Sequence, residues 1–130
     1  LNAADKDALV RGIGELLLRD IATAGHDLDG YALIASYDDD GTRRISGFGY
    51  RDGEPPRAAT PQTEVDAIGA RLDELREATR VDGREPWTVC VIQLLRAGGR
   101  LHAEFVYEDA ERWAITPETL AEVAERARPA

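Results

Sequence analysis

Several things are scarce in this chain, and each scarcity removes a class of protein. There is a single cysteine, Cys90, so no internal disulfide can form and a disulfide-stapled secreted scaffold is excluded. Histidine occurs only at His26 and His102, unclustered with each other or with Cys90, so no zinc-ligand spacing is present and no metal or cofactor is expected. Methionine is absent, so the native start is expected to have been trimmed. No apolar run approaches the ~20 residues that cross a bilayer. The stretch Leu1-Asn2-Ala3-Ala4-Asp5 lacks a basic region followed by an apolar block, so no export signal is expected there.

Positive charge is also in deficit. Sixteen basic residues stand against 25 acidic ones, for a net charge of −9 and a pI near 4.7. Phosphate binding needs a basic face, so nucleic acid is not the expected partner, and neither is an anionic membrane. A basic protein partner suits the charge, because opposite fields speed encounter. Fifteen of the 16 basic residues are arginine, only Lys6 being lysine, and alanine is abundant; this reads as the coding bias of a GC-rich bacterium.

What is present is globular. The chain has 130 residues, 43% hydrophobic and 32% charged, enough for one domain with one core. From about Ala4 to Ala24, Leu9, Val10, Ile13, Leu16, Leu17 and Ile21 recur at helical spacing, and Gly25 is a C-terminal stop. Tyr31–Tyr37 and Thr42–Tyr50 read as a hairpin around Asp38-Asp39-Asp40-Gly41. Residues 51–60 are a polar loop. Thr60-Pro61 is expected to open a second helix, carrying Val65, Ile68, Leu72 and Leu75 to about Thr79. A second hairpin follows: Trp87–Leu95, the turn Ala97-Gly98-Gly99, and Leu101–Tyr107. Thr116-Pro117 is expected to cap a last helix ending about Arg126.

The order is α-β-β-α-β-β-α, an α+β domain with a four-stranded antiparallel sheet covered by amphipathic helices. It also reads as an internal duplication of α-β-β, about 4–59 and 60–115, followed by a helix over 117–127. Ile13-Gly14 matches Ile68-Gly69, Phe48 matches Phe105, and Ala59-Thr60-Pro61 matches Ile115-Thr116-Pro117, at offsets of 55, 57 and 56.

Catalytic constellations are sparse. His26 lies in a loop beside Asp27 and Asp29, and His102 and Glu104 alternate onto one strand face as a pair able in principle to shuttle a proton, yet a solvated strand face accounts for them. Cys90 falls in an apolar strand with nothing basic beside it, which marks an inert thiol. No glycine pattern cradles phosphate, and Asp38-Asp39-Asp40 lacks the spacing of a calcium loop. Two acid-rich stretches stand out. Asp27 to Asp40 holds five aspartates and no basic residue; Glu104 to Glu118 holds five acids and only Arg112. Asp38, Asp39, Asp40, Glu108, Asp109 and Glu111 are therefore the candidate partner-binding residues. Trp113, which follows on the acidic turn Glu108-Asp109-Ala110-Glu111, is the candidate aromatic anchor if it is exposed.

Leu72-Asp73-Glu74-Leu75-Arg76, Glu85-Pro86-Trp87-Thr88, and the return strand ending Phe105-Val106-Tyr107-Glu108-Asp109 resemble the YezG-like family of bacterial immunity proteins. The shared features are a charged helix, a polar loop, a tryptophan opening a strand, a glycine-containing turn, and an aromatic-then-acidic strand end. These motifs cover about residues 70–113. The N-terminal half shares pattern rather than residues, and the Thr116-Pro117 helix has no counterpart in the match. The resemblance implies a cytoplasmic antitoxin, without catalytic residues, that binds and neutralises the C-terminal domain of a polymorphic or contact-dependent growth-inhibition toxin. The alternative expectation is a non-enzymatic small-molecule module with a pocket lined by Tyr31, Phe48 and Phe105.

Overall fold

A computed structural model describes residues 3–129 of the chain. Helix α1 spans Ala3–Ala24. Its register of apolar residues buries Val10, Ile13 and Leu17 and half-buries Leu9, Leu16 and Ile21. Gly25, at φ 75°, ends it; the Gly25 N–H bonds to the Ala22 carbonyl and the His26 N–H to the Ile21 carbonyl, which satisfies two of the last four carbonyls.

Strands β1 (Gly30–Tyr37) and β2 (Arg43–Tyr50) form the first hairpin, and β4 (Val89–Leu95) and β5 (Arg100–Val106) the second. The hairpins join through β1 and β4, with Leu33 opposite Ile92 near the centre. All neighbours are antiparallel. The sheet has five strands rather than four, in the order β3-β2-β1-β4-β5. The extra strand, β3, is only Arg57–Ala58, folded back against Phe48 and Gly49. Two residues cannot display an alternating pattern, and this segment reads as polar loop.

The sheet is covered on both faces. Tyr31, Leu33, Ala35 and Tyr37 of β1, with Cys90, Ile92 and Leu94 of β4, pack under α1 and α2 (Val65–Ala78), which supplies Ile68, Leu72 and Leu75. The alternate residues Ala32, Ile34, Val89 and Val91 face the other way, with Phe48 and Tyr50 of β2. They are covered by Trp113 and by α3 (Leu120–Arg126) through Val123 and Ala124. Two central strands buried on both faces explain their nearly unbroken apolar runs.

Both later helices start downstream of their Thr-Pro pairs. Helix α2 begins at Val65, and the backbone before it is held from far away: the buried Asp20 carboxylate of α1 accepts the N–H groups of Gln62 (3.0 Å), Thr63 (2.9 Å) and Glu64 (2.8 Å). Helix α3 begins at Leu120. The Thr116–Thr119 stretch before it is a turn, in which the Thr119 hydroxyl donates to the Ala114 carbonyl at 2.8 Å.

The two hairpins join through the β1–β4 pairing, and Ile13 of α1 and Ile68 of α2 are both fully buried. Phe48 and Phe105 are not equivalent, however, because they lie on opposite faces of the sheet. The connection between β1 and β2 covers five residues (38–42) and that between β4 and β5 four (96–99). One residue of difference turns every following side chain to the other face.

Candidate functional site

Antiparallel pairing decides which loops emerge together. β1 ends at Tyr37, opposite the start of β2 at Arg43; the Tyr37 N–H bonds to Thr88 just before β4, and Val89 of β4 faces Val106 at the end of β5. The β1–β2 turn, the segment entering β4 and the segment leaving β5 thus share one end of the sheet. Asp38-Asp39-Asp40 and Glu108, Asp109 and Glu111 are brought to this same end, two strand spacings or about 10 Å apart. Asp82 and Glu85, from the connection into β4, join them. All eight acids are exposed.

Local geometry fixes the two clusters. In the first turn the Gly41 N–H bonds to the Asp38 carbonyl, with Gly41 at φ 84°, and the Asp38 N–H bonds to the Thr42 carbonyl. The Asp40 carboxylate accepts the Thr42 N–H at 2.9 Å, and this backbone bond holds its pKa below the ordinary aspartate value. After β5, Asp109 takes the left-handed conformation at φ 56°, which aspartate tolerates better than most residues, and a 3-10 turn follows over Ala110–Trp113.

The electrostatics of the two ends differ. At the acidic end only Asp38 has an arginine within reach, Arg44 at 3.8 Å, among the described residues. The other arginines nearby are turned to other work. Arg84 stacks on Tyr107 (4.0 Å to the ring centre), Arg80 pairs with Glu77 of α2, and Arg112 lies over the Trp113 ring. At the opposite end two of the acids are paired with arginine: Asp27 meets Arg96 (3.2 Å) and Arg51 (3.8 Å), and Glu54 meets Arg51 (3.2 Å) and Arg57 (3.3 Å). The negative field is therefore concentrated at one end.

Trp113 is not an exposed anchor. The 3-10 turn folds its ring onto the α3 face of the sheet, 6% exposed, among Val91, Val106 and Val123. Its indole N–H is buried and has no hydrogen-bond partner among the described residues. Trp87, in the corresponding position of the other layer, is fully buried between Tyr37 and Phe105, and its N–H donates to the Thr79 hydroxyl at 2.8 Å.

The remaining candidates separate. His102 and Glu104 are both exposed on edge strand β5. Cys90 is sealed in the core, where burial pushes its thiol up to about 12, leaving it protonated. Tyr31 and Phe105 face α1 and α2 whereas Phe48 faces α3, so the three aromatics do not line one pocket. A hollow of about 430 Å³ does exist at the end opposite the acidic one, lined by Leu18, Ile21, Leu28, Leu94 and Leu95, with His26 and Arg100. No group of acidic, histidine or cysteine side chains able to hold a metal ion occurs among the described residues, and no helix is long and apolar enough to cross a membrane.

Sequence reasoning missed the network behind the acidic turn. Asp73 of α2 accepts from Tyr37 (2.7 Å) and Arg43 (2.7 Å), and Arg76 lies 4.4 Å from the centre of the Tyr37 ring while its Nε donates to the Trp87 carbonyl. The Arg43 guanidinium lies flat over Gly69, where any side chain would displace it. These contacts fasten both hairpins to α2 beneath the acidic end. Gly69 inside a helix was the one visible sign of close approach. No family model matches this chain, and no curated protein matches it.

Proposed function

We propose that this domain is a bacterial immunity protein that binds and neutralises the C-terminal toxin domain of a polymorphic or contact-dependent growth-inhibition system. It acts by occlusion, in the cytoplasm of the producing cell, and turns over no substrate. The observation that carries this reading is the gathering of Asp38-Asp39-Asp40, Asp82, Glu85, Glu108, Asp109 and Glu111 at one end of the sheet, almost without counter-ions. Carboxylates that no internal arginine holds are free to meet a basic partner without first breaking a pair. Their summed field would steer its approach. The resemblance of residues 70–113 to YezG-like proteins supports the same reading: the Tyr107-Glu108-Asp109 motif stands at this end, with Tyr107 half-buried under Arg84 and the two acids outside. Trp113 is left out of the contact set because it is buried.

The deciding experiment is titration calorimetry against the C-terminal domain encoded by the reading frame immediately upstream. Nanomolar one-to-one binding supports the proposal, and no heat with a well-folded partner refutes it. The apolar hollow near Leu18 favours one second reading, a small-molecule module. Its signature would be thermal stabilisation by metabolites with no protein partner present.

A further inference from the structure

The outer edge of β5 is an open edge of the sheet, and among the described residues no strand pairs with it. Register tells which main-chain groups are free there. The Tyr37 N–H bonds to the Thr88 carbonyl at 2.8 Å, so residues 37, 35, 33 and 31 of β1 exchange hydrogen bonds with 88, 90, 92 and 94. Bonds alternate sides along a strand. Val89, Val91, Gln93 and Leu95 therefore direct theirs to β5, where they face Val106, Glu104, His102 and Arg100. The N–H and C=O groups of Leu101, Ala103 and Phe105 are left pointing out of the sheet.

We propose that β5 pairs antiparallel with β5 of a second copy of this chain, about a two-fold axis at Ala103, so that two sheets run on as one. The edge is complementary to itself in this register. His102 stands opposite Glu104 of the second copy, and Glu104 opposite its His102, on the face where both are exposed. Leu101 stands opposite Phe105 on the other face, where both are only half-buried. Ala103 meets itself at the axis, where a small side chain permits close approach. The three outward residues then form three pairs, each exchanging two hydrogen bonds. Sliding the register by two residues in one direction sets Glu104 against itself, and like charges directly opposed are disfavoured. Sliding it in the other sets Arg100 against Glu104 but gives up both Leu101–Phe105 pairs, since Phe105 then falls opposite Gly99 beyond the strand, so the apolar pairs select the Ala103 axis.

A second observation points to the same edge. Gly14 of α1 packs on Leu101, and Leu18, one turn further along the same side of the helix, is 58% exposed. A second copy across β5 would cover it. The strand also lacks proline and lysine, the residues that commonly keep open edges apart. This assembly does not depend on the proposed function, since it uses an edge of the sheet and not its acidic end.

The test is the solution mass of the full chain by analytical ultracentrifugation across a concentration series, for the native sequence and three variants. The native chain should approach twice its 14.2 kDa mass. Ala103→Pro removes an outward N–H without costing a bond inside the sheet, and should abolish the dimer. Glu104→Lys acts twice across the axis and should weaken it about tenfold or more. His102→Glu combined with Glu104→Lys restores unlike pairs and should restore the dimer. Because 102 and 104 are exposed, the charge variants remain decisive even if the proline variant fails to fold. A native chain that stays at monomer mass throughout overturns the proposal, and so does a dimer indifferent to both Ala103→Pro and Glu104→Lys. A monomer that loses affinity for the upstream toxin domain on Ala103→Pro also overturns it, and assigns the edge to the toxin instead.

Discussion

The phenol of Tyr31 lies across the backbone of Gly47 and donates to the Ala59 carbonyl at 2.7 Å. A methyl group on Gly47 would overlap the Tyr31 oxygen and come within 2.7 Å of the Ala59 carbonyl oxygen. Gly47 thus holds open the passage through which β1 fastens the segment that follows β3. Gly47→Ala should cost ~3 kcal/mol or more, from overpacking together with the displaced hydrogen bond. Tyr31→Phe, which removes the bond but keeps the packing, should cost ~1–2 kcal/mol. Urea denaturation of both variants checks the order: equal losses would mean that the hydrogen bond, and not the close approach, is what matters at Gly47.

The buried carboxylate of Asp20 is the anchor for the start of α2, receiving three backbone N–H groups. Asp20→Ala strands those donors and should lower stability by ~2–3 kcal/mol. Thr60→Ala, at the residue that local capping rules favour, should change stability by less than ~0.5 kcal/mol, because its side chain is exposed and the helix starts five residues later. Comparable losses in the two variants would return the cap to Thr60.

Acid should act partly through Asp73. Its partial burial raises the carboxyl pKa, but the hydrogen bonds from Tyr37 and Arg43 outweigh this and hold it below the ordinary value. A carboxyl depressed in the folded state adds stability that is present above its unfolded pKa, ~3.9, and lost as pH falls through the folded value. Asp73→Asn should therefore flatten part of the acid limb of a melting-temperature profile below pH ~4. The effect should be small, since the side chain is 55% exposed. An acid limb of unchanged steepness would show that the Tyr37–Asp73–Arg43 contacts do not persist in solution.

Reversing Asp38, Asp39 and Asp40 to lysine should slow association with a basic toxin domain by roughly tenfold or more at low salt, and flatten the salt dependence of the rate. Folding stability should fall only slightly, since all three are exposed and the one hydrogen bond lost is that from the Thr42 N–H to Asp40. Stopped-flow mixing reads the rate, and a rate that is unaltered removes this turn from the encounter surface.

Cys90 should be inert to thiol reagents in the folded protein, being fully buried with its thiol pushed up to about 12. Labelling should follow the rate or extent of unfolding as denaturant is added. Rapid labelling under native conditions would require β4 to open locally.

Much of the architecture is written in local patterns. The 3.6-residue period before Gly25, the apolar runs of Tyr31–Tyr37 and Trp87–Leu95, and the turns at Gly41 and Gly98-Gly99 all mark elements that form. Each depends on residues a few positions apart, so each is visible in one dimension. The candidate site is legible only in part: Asp38-Asp39-Asp40 and Glu108, Asp109 and Glu111 stand out as acid-rich stretches, but nothing local shows them at one end of the sheet. That follows from the pairing of β1 with β4, between residues some 60 positions apart.

The sequence by itself determined the α+β class, the two hairpins, the inert cysteine and the surplus of negative charge, because composition and period suffice for these. Tertiary structure alone decided the rest. Trp113 turned inward because a one-turn helix laid its ring on an apolar sheet face. α2 started late because a carboxylate 42 residues from Gln62 holds the backbone N–H groups of the segment just before it. Phe48 and Phe105 parted to opposite faces because one hairpin connection is a residue longer than the other. In each case the deciding contact joins groups distant in the chain, and their energies appear only once the chain has folded them together.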